Sequence, residues 1–293
     1  NFDAFVAKFD PDTVDNPTGD LRTSDFEWIT RIGSVANNDE AVSVDFANGN
    51  LYVAGNTEGN LDSDGGNDGG DNNSDVWIAE IQDDPDGSGI IEAGEIIVND
   101  ETKENDGDPQ LNTDAEETVG GITVSGGDIY ISGSTEGLVD SEDNPETDPD
   151  GNRGNKDAFV AKFQTGDFSD TSTPVFVEQF GSFNEDISVG VEANTRTTDE
   201  DGDPETTDDR SQVTTIFTTG TTEGVIDGEL NSGGKDTFVA QFEDRRGNNP
   251  VLQLEDDVVG TNEPLVAVDE TFIADNVASN GLIIGTVNAG DPD

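Results

Sequence analysis

The stretch from Asp84 to Glu95 carries oxygen-bearing side chains at a regular spacing. In DPDGSGIIEAGE, acids or a hydroxyl stand at positions 1, 3 and 5, glycine stands at position 6, and glutamate stands at position 12. A twelve-residue calcium loop uses this spacing, because the glycine allows a sharp turn and the last glutamate supplies two oxygens. The predicted ligands are the side chains of Asp84, Asp86, Ser88, Glu92 and Glu95, with Glu92 acting directly or through water, and the carbonyl of Ile90.

The surroundings of this loop differ from those of the helix-flanked EF-hand. DVWIAEIQ (75 to 82) precedes it and EIIVND (95 to 100) follows it, and neither run has the 3.6-residue periodicity of a helix. Both are short and rich in β-formers. We therefore expect a calcium loop between two strands, with the aliphatic Ile91 at position 8 anchoring it on the core.

Two further acidic inserts could bind cations in a related way. The additional candidate ligands are Asp199, Asp201 and Asp203 in the insert 196 to 211, and Asp148, Asp150 and Asn152 in the insert 140 to 157. In the first insert, Pro204 occupies the place where the calcium template has glycine. The alternative for both inserts is a solvated acidic loop that holds no ion.

The composition restricts the chemistry that the chain can perform. Cysteine, histidine and methionine are all absent, so only oxygen ligands remain for a metal. Oxygen ligands suit Ca²⁺, or less well Mg²⁺, and argue against zinc, copper and iron. Glycoside hydrolysis needs only two carboxylates, but among 67 acids such pairs are unavoidable and single out no acid or nucleophile. We assign no catalytic residue and do not expect an enzyme.

The charge balance narrows the possible partners and the location. Twelve Lys and Arg against 67 Asp and Glu give a net charge of −55. Such a surface repels nucleic acids and anionic membranes, and no apolar run is long enough to span a bilayer. Extracellular calcium modules bind with dissociation constants of about 0.1 to 1 mM, so they fill outside the cell and stay empty in cytosol. We therefore expect an extracellular or cell-surface location. The alternative explanation of the high charge is a solvated surface adapted to high salt, without specific metal sites.

An internal repeat organises the chain. DAFVAKF (3 to 9) returns as DVWIAEI (75 to 81), DAFVAKF (157 to 163) and DTFVAQF (236 to 242), so units start near residues 3, 75, 157 and 236. GNTEG, GSTEG and GTTEG keep step with this repeat, each after an alternating apolar run. NG and GG pairs, which are typical of tight hairpin turns, separate further alternating runs. The pattern therefore predicts about four antiparallel strands in each unit.

These motifs, in this order, resemble the bacterial β-propeller repeat family. The resemblance covers residues 1 to 243 and implies an all-β fold of tandem four-stranded antiparallel blades, propeller-like. The units here are longer than those of the family, because they carry long acidic inserts, which are the candidate calcium-binding loops. It also implies secreted or surface proteins and supplies no catalytic residues. Three full units are too few to close a ring of four to eight blades, so sheet edges stay open.

The remaining residues, 244 to 293, form a different region. EDRRGNNP (243 to 250) is typical of a polar linker, and NGLIIGTVNAGDPD (280 to 293) resembles the opening of a cadherin-like module. The second resemblance implies first strands of a β module and acidic residues that chelate calcium between modules. The chain begins at Asn1 without an initiator methionine, so we expect it to derive from a longer precursor.

The open edges and the acidic loops lead to two expectations of function. We expect residues 2 to 9 or 251 to 287 to pair with strands of another copy or of a neighbouring surface protein. The chain would then be a calcium-stabilised extracellular structural or adhesive protein, part of a larger repeat protein or a fibre-like assembly. The alternative is a secreted carbohydrate-binding or glycoside-hydrolysing propeller, with a glycan as ligand.

Two sets of repeated side chains could serve binding or packing. The glutamates of T-E-G, Glu58, Glu136 and Glu223, could be ligands or catalytic carboxylates, but we favour strand-ending turns in which they accept hydrogen bonds from local backbone amides. The aromatic residues could form a sugar platform, but we favour packing between sheets. This second set comprises Trp28, Trp77, Phe5, Phe159 and Phe238.

Overall fold

The structure is a computed structural model of the chain. It describes residues 2–9, 26–34, 37–59, 61, 73–83, 91, 96–99, 111, 113, 115–137, 139, 155–166, 168–169, 172–199, 210–226, 231, 233–246 and 253–254. Over these ranges the chain forms β-strands and turns and no helix, and therefore no helix long and apolar enough to cross a membrane. The strands are β1 (Ala4–Phe9), β2 (Phe26–Ile32), β3 (Asp39–Ala47), β4 (Asn50–Thr57), β5 (Asp75–Gln82), β6 (Ile96–Asn99), β7 (Glu117–Ser125), β8 (Asp128–Thr135), β9 (Asp157–Gln164), β10 (Phe176–Phe180), β11 (Asp186–Asp199), β12 (Arg210–Thr222), β13 (Asp236–Arg246) and β14 (Gln253–Leu254).

The strands form one two-stranded sheet and three four-stranded sheets. The sheets contain β1 and β2, then β3 to β6, then β7 to β10, then β11 to β14. Within each sheet, strands that follow one another along the chain pair antiparallel. The all-β fold of four-stranded antiparallel sheets is confirmed, and strands lie where the alternating runs predict them.

The sequence repeat and the sheets are out of phase. One sequence unit supplies four strands, but its first two complete one sheet and its last two begin the next. The D-A-F-V strand β5 pairs with the preceding T-E-G strand β4, from Thr57 opposite Asp75 to Asn50 opposite Gln82. A sheet therefore joins β3 and β4 of one unit to β5 and β6 of the following unit.

Tight turns close the hairpins that begin two of these sheets. Asn48 and Gly49 have φ angles of 55° and 89° between β3 and β4, and Gly126 and Gly127 have 62° and 87° between β7 and β8. Two successive residues with positive φ match the right-handed twist of the flanking strands, and glycine or asparagine adopts them at low cost. The NG and GG pairs thus form the hairpin turns that the sequence predicts.

An aromatic ring covers a glycine in each four-stranded sheet. The glycine of G-x-T-E-G lies opposite the aromatic residue of the D-A-F-V strand, as Gly133 lies opposite Phe159. A methyl group added at Gly133 would lie only 2.5 Å from Phe159 Cζ. Gly55 with Trp77 and Gly220 with Phe238 repeat the arrangement. The glycine is therefore needed so that the ring can lie flat against the neighbouring strand.

The predicted packing role of the aromatic residues is confirmed for four and wrong for one. Trp28, Trp77, Phe159 and Phe238 are at most 2% exposed and belong to the hydrophobic core. Phe5 is 65% exposed, although it stands at the same place in the repeat as Phe159. The reason is that β1 pairs with β2 alone among the described strands, whereas β9 lies between β8 and β10.

Neighbouring sheets pack against each other in chain order. One apolar cluster joins β1 and β2 to β4 and β5, a second joins β4 and β5 to the third sheet, and a third joins β8 and β9 to the fourth. Hydrogen bonds cross between the sheets as well: Asn56 Oδ1 accepts from the Val119 N–H at 2.8 Å, and Ser125 Oγ accepts from the Thr195 N–H at 2.9 Å. The strands β3, β7 and β11 contact one another in sequence.

The last long strand runs past the expected domain boundary. β13 continues to Arg246, beyond the boundary at 243, and Arg246 pairs with Gln212 of β12. The extension follows from the insert 196 to 211, whose ends lengthen β11 and β12 and so offer β13 a longer edge. The cadherin-like residues 280 to 293 lie outside the described residues.

Candidate functional site

The predicted metal ligands lie almost entirely beyond the described ranges. Those outside are Asp84, Asp86, Ser88, Ile90, Glu92, Glu95, Asp148, Asp150, Asn152, Asp201 and Asp203. Asp199 ends β11, where its backbone lies opposite Arg210. In the part of the chain that the structure describes, no group of three or more acids is arranged to hold a metal. Calcium binding at these residues stays a prediction.

The described residues do define the frame around the loop from 84 to 95. β5 ends at Gln82 and β6 begins at Ile96, and Ile81 lies opposite Ile96. The loop therefore connects two paired strands, as the sequence predicts. Ile91, within the loop, is 9% exposed and packs in the cluster that contains Trp28 and Trp77. The predicted packing of Ile91 on the core is confirmed.

The residue just before the loop is held by the first sheet. Lys8 Nζ of β1 donates to the two carboxylate oxygens of Asp83 at 2.8 and 3.1 Å, and Trp28 Nε1 of β2 donates at 3.0 Å. The hydrogen bond to Asp83, followed by that to Glu27, raises the pKa of Lys8. Asp83 is thus tied to the first sheet, and Ile91 packs in the apolar cluster that the first two sheets share.

A buried acid begins the first strand of each four-stranded sheet. Asp39, Glu117 and Asp186 open β3, β7 and β11 and are at most 1% exposed. Each accepts hydrogen bonds from a Ser or Thr four or five residues earlier. The donors are the backbone N–H and hydroxyl of Ser34 to Asp39, of Thr113 to Glu117 and of Ser182 to Asp186. These contacts offset part of the cost of burying the three carboxyl groups.

The threonine of T-E-G, rather than the glutamate, makes the bonds of the strand-ending turn. Thr57 donates its hydroxyl to Asp39 at 2.6 Å and accepts from the Gly59 N–H at 3.0 Å. Thr135 donates to Glu117 at 2.7 Å and accepts from the Gly137 N–H at 2.8 Å. The turn is confirmed, but the predicted bonding by its glutamate is wrong.

The three T-E-G glutamates face solvent and contact polar neighbours. Glu58 accepts from Asn38 Nδ2 at 2.9 Å. Glu136 lies 3.9 Å from Lys156 Nζ, and Glu223 lies 3.7 Å from Lys235 Nζ. Partly exposed ion pairs of this kind contribute little to stability, about 0 to 1 kcal/mol each.

The corner at Asp186 leads to a prediction on pH. Burial raises the pKa of Asp186, against hydrogen bonds from Thr222 and Ser182 that lower it. A carboxyl group whose folded pKa exceeds its unfolded value of about 3.9 contributes stability below that value and loses it as the pH rises through the folded pKa. Asp186→Asn cannot ionise, so we expect its free energy of unfolding to fall less steeply over that window.

Urea unfolding of Asp186→Asn and wild type from about pH 4 to about pH 7 measures this slope. Burial also raises the pKa of Glu80 and Glu192, so wild type keeps part of its slope in the variant. Glu40→Gln, which neutralises an exposed acid of β3, is the matched control. Parallel curves for wild type and Asp186→Asn would rule out a titrating Asp186.

A buried lysine forms a second charge cluster, which the sequence did not reveal. Lys162 of β9 is 4% exposed and makes ion pairs with Asp128 at 3.0 Å and with Asp244 of the next sheet. The Tyr130 hydroxyl donates to Asp244 at 2.9 Å, and burial raises the pKa of Tyr130. The only local signal is a lysine that stands between the apolar residues Ala161 and Phe163 inside a strand.

This cluster holds strands together and is closed to a substrate. Lys162, Asp128, Tyr130 and Asp244 are all at most 4% exposed, so no external molecule reaches their polar atoms. The contacts of Lys162 and Tyr130 with Asp244 tie the third sheet to β13 of the fourth sheet. We therefore assign the cluster to the stability of the fold.

Comparison with known proteins shows little similarity. No described protein family matches the chain, and no curated protein matches it in sequence. One solved structure with a related backbone is a subtype N11 neuraminidase-like protein of A/flat-faced bat/Peru/033/2010 (H18N11), with 13% identity and a TM-score of 0.34. The match covers 78% of this chain and 53% of the other, so this chain spans about half its length. A TM-score this low assigns neither fold family nor function.

Proposed function

We propose that the chain is a calcium-stabilised extracellular structural or adhesive protein that forms part of a larger repeat assembly. The observation that carries this proposal is that the two described residues at this loop are held by the surrounding sheets: Asp83 bonds to Lys8 and Trp28 of the first sheet, and Ile91 packs in the apolar cluster shared by the first two sheets. A loop that folds around an ion needs its two halves held near each other.

The loop is rich in like charges. Between Asp83 and Ile96 the loop contains four further acids, Asp84, Asp86, Glu92 and Glu95. Two carboxylates about 7 Å apart in water repel by roughly 0.6 kcal/mol, and several such pairs add up in one short loop. A calcium ion collects six to eight oxygens at about 2.3 to 2.6 Å, which replaces this repulsion by attraction.

The ion would bind across a junction between sheets. Asp83 contacts β1 and β2, and the loop belongs to β5 and β6 of the next sheet. Fixing the loop therefore stiffens the contact between two sheets as well as the loop itself. A repeat protein gains stability from such interfaces, because each repeat contacts only its neighbours. Millimolar calcium outside the cell would fill a weak site of this kind.

The proposed arrangement of the sheets is propeller-like. Three consecutive four-stranded antiparallel sheets pack in chain order, and their first strands β3, β7 and β11 contact in sequence. Radial repetition of four-stranded sheets around shared inner strands is the arrangement of propeller blades. The sequence motifs that resemble the bacterial propeller repeats lie on these same strands.

Removing calcium should weaken the fold. At calcium 100-fold above the dissociation constant, one site stabilises the folded state by about 2.7 kcal/mol. We expect chelation to lower the melting temperature by about 5 to 10 °C, because each kcal/mol shifts it by about 2 to 4 °C in domains of this size. Glu95→Gln should reduce the response to calcium, since it removes one oxygen charge from the loop. Thermal unfolding with calcium and with chelator measures both effects.

Two controls separate a bound ion from general screening. Glu40→Gln removes one exposed acid of β3, in the same sheet, and should respond to calcium as wild type does. Potassium chloride at about 1 M, added with chelator, screens exposed charges but supplies no divalent ion. Full rescue by this salt, or equal melting in all conditions, would replace the calcium proposal by a salt-adapted surface.

A further inference from the structure

The chain contains the same seven residues in two different surroundings. Residues 3 to 9 and residues 157 to 163 both read DAFVAKF. The second copy contains most of β9, which lies between β8 and β10. The first copy contains β1, which pairs with β2 along one edge and with no other strand in the described part of the chain.

The difference in surroundings leaves part of β1 uncovered. Phe5 is 65% exposed where Phe159 is 0% exposed, and Phe9 is 45% exposed where Phe163 is 0% exposed. Ala4 and Val6 of the same strand are buried against the second sheet, so β1 is held firmly in place. A fixed strand with a free edge and exposed aromatic rings is a template for strand addition.

We infer that the free edge of β1 binds a β-hairpin presented by a neighbouring repeat protein, and this inference rests on the proposed assembly function. The hairpin belongs to the G-x-T-E-G class, in which the second strand ends in that motif. In each four-stranded sheet, a hairpin of this class covers the edge of the D-A-F-V strand. The pairs are β3 and β4 on β5, β7 and β8 on β9, and β11 and β12 on β13. Because these hairpins are already paired, a second copy has none to spare among its described residues.

The register between β8 and β9 shows what the incoming strand must carry. Thr135 lies opposite Asp157, Gly133 opposite Phe159, and Tyr130 opposite Lys162. Transferred to the identical residues of β1, this register places a threonine opposite Asp3, a glycine opposite Phe5 and an aromatic residue opposite Lys8. The strands β4, β8 and β12 share this pattern. In each, glycine stands three positions after an aromatic residue, and threonine stands two positions after the glycine.

The glycine contributes to the specificity of the edge, and a methyl group at Gly133 would also lie 2.2 Å from the Thr118 carbonyl oxygen of its own hairpin, so Phe5→Ala is the variant that reports on the edge alone. A methyl group at Gly133 would lie 2.5 Å from Phe159 Cζ, and one at Gly220 would lie 2.5 Å from Phe238 Cε1. A strand with any larger residue opposite Phe5 would meet the same clash. Lys8 contributes less, because it already pairs with Glu27 and Asp83 at 2.8 Å each.

A synthetic peptide of residues 117 to 137, which contains the hairpin of β7 and β8, tests the inference. Fluorescence anisotropy of the labelled peptide should show saturable binding to the whole chain, and hydrogen exchange of the amides of residues 4 to 9 should slow. Gly133→Val in the peptide, or Phe5→Ala in the protein, should weaken binding by at least about tenfold, about 1.4 kcal/mol. Val44→Ala, at a 55% exposed position of β3, should leave binding unchanged.

Three outcomes would overturn the inference. The first is no saturable binding, or binding of a scrambled peptide as tight as that of the native one. The second is equal binding by the Gly133→Val peptide. The third is sedimentation that shows concentration-dependent self-association lost in Phe5→Ala, which would make a second copy the occupant. The calcium response of the same protein is scored separately, so failure of the hairpin leaves the calcium proposal standing, and the reverse also holds.

Discussion

Replacing Phe159 by alanine should lower the free energy of unfolding by about 3 to 5 kcal/mol, whereas Phe5→Ala should lower it by less than about 0.5 kcal/mol. Phe159 is fully buried, packs on Gly133 and belongs to the apolar cluster between the second and third sheets. Its removal leaves a cavity that the surrounding sheets can fill only in part. Phe5 is 65% exposed and loses little apolar contact when truncated.

Urea unfolding of the two variants at neutral pH measures both losses, and the two variants form a matched pair. Both substitutions alter the same position of the same heptapeptide, so differences in local strand propensity cancel. The difference between the two losses of unfolding free energy then measures how far neighbouring strands and sheets bury the two phenylalanine side chains. Similar losses in the two variants would mean that β1 is covered in solution as fully as β9, and the free edge would not exist.

Lys162→Met should also destabilise the protein by about 3 to 5 kcal/mol, because it leaves Asp128 and Asp244 buried without their cation. Lys8 occupies the same place in the first heptapeptide, but its side chain is 39% exposed and its ion pairs face water. Lys8→Met should therefore cost only about 0 to 1 kcal/mol. Urea unfolding at neutral pH measures both losses.

A triple variant separates lost packing from uncompensated charge. Lys162→Met combined with Asp128→Asn and Asp244→Asn removes the cation and both carboxylates together, and should recover most of the stability lost in Lys162→Met. If the triple variant is as unstable as Lys162→Met, the lysine acts through its packing instead.

The strands and turns follow from local sequence, whereas the grouping of strands into sheets does not. Alternating runs and the pairs at Asn48 and Gly126 predict the hairpins because strand period and turn conformation are properties of neighbouring residues. The repeat shows the period of the fold but not its phase, so it does not reveal that β4 pairs with β5 of the next unit. The different burial of Phe5 and Phe159 has no local signal at all, since the two heptapeptides are identical.

The same distinction applies to the candidate sites. The spacing from Asp84 to Glu95 predicts a calcium loop, and position 8 of the template predicts the burial of Ile91, because both signals lie within twelve residues. The pairing of Asp83 with Lys8 spans 75 residues, and that of Lys162 with Asp244 spans 82. Contacts over such separations depend on which sheets are neighbours, and a single sequence holds no pattern that shows them.

The half-sheet offset between repeat and sheet has a consequence for how such a chain can change its length. Each unit gives two strands to the sheet before it and two to the sheet after it. A gene duplication that copies one whole unit, at any internal position, therefore restores four strands in every internal sheet. Among the described strands, the sheet of β1 and β2 is the one with fewer than four, so the gain or loss of a whole internal unit exposes no new edge inside the array.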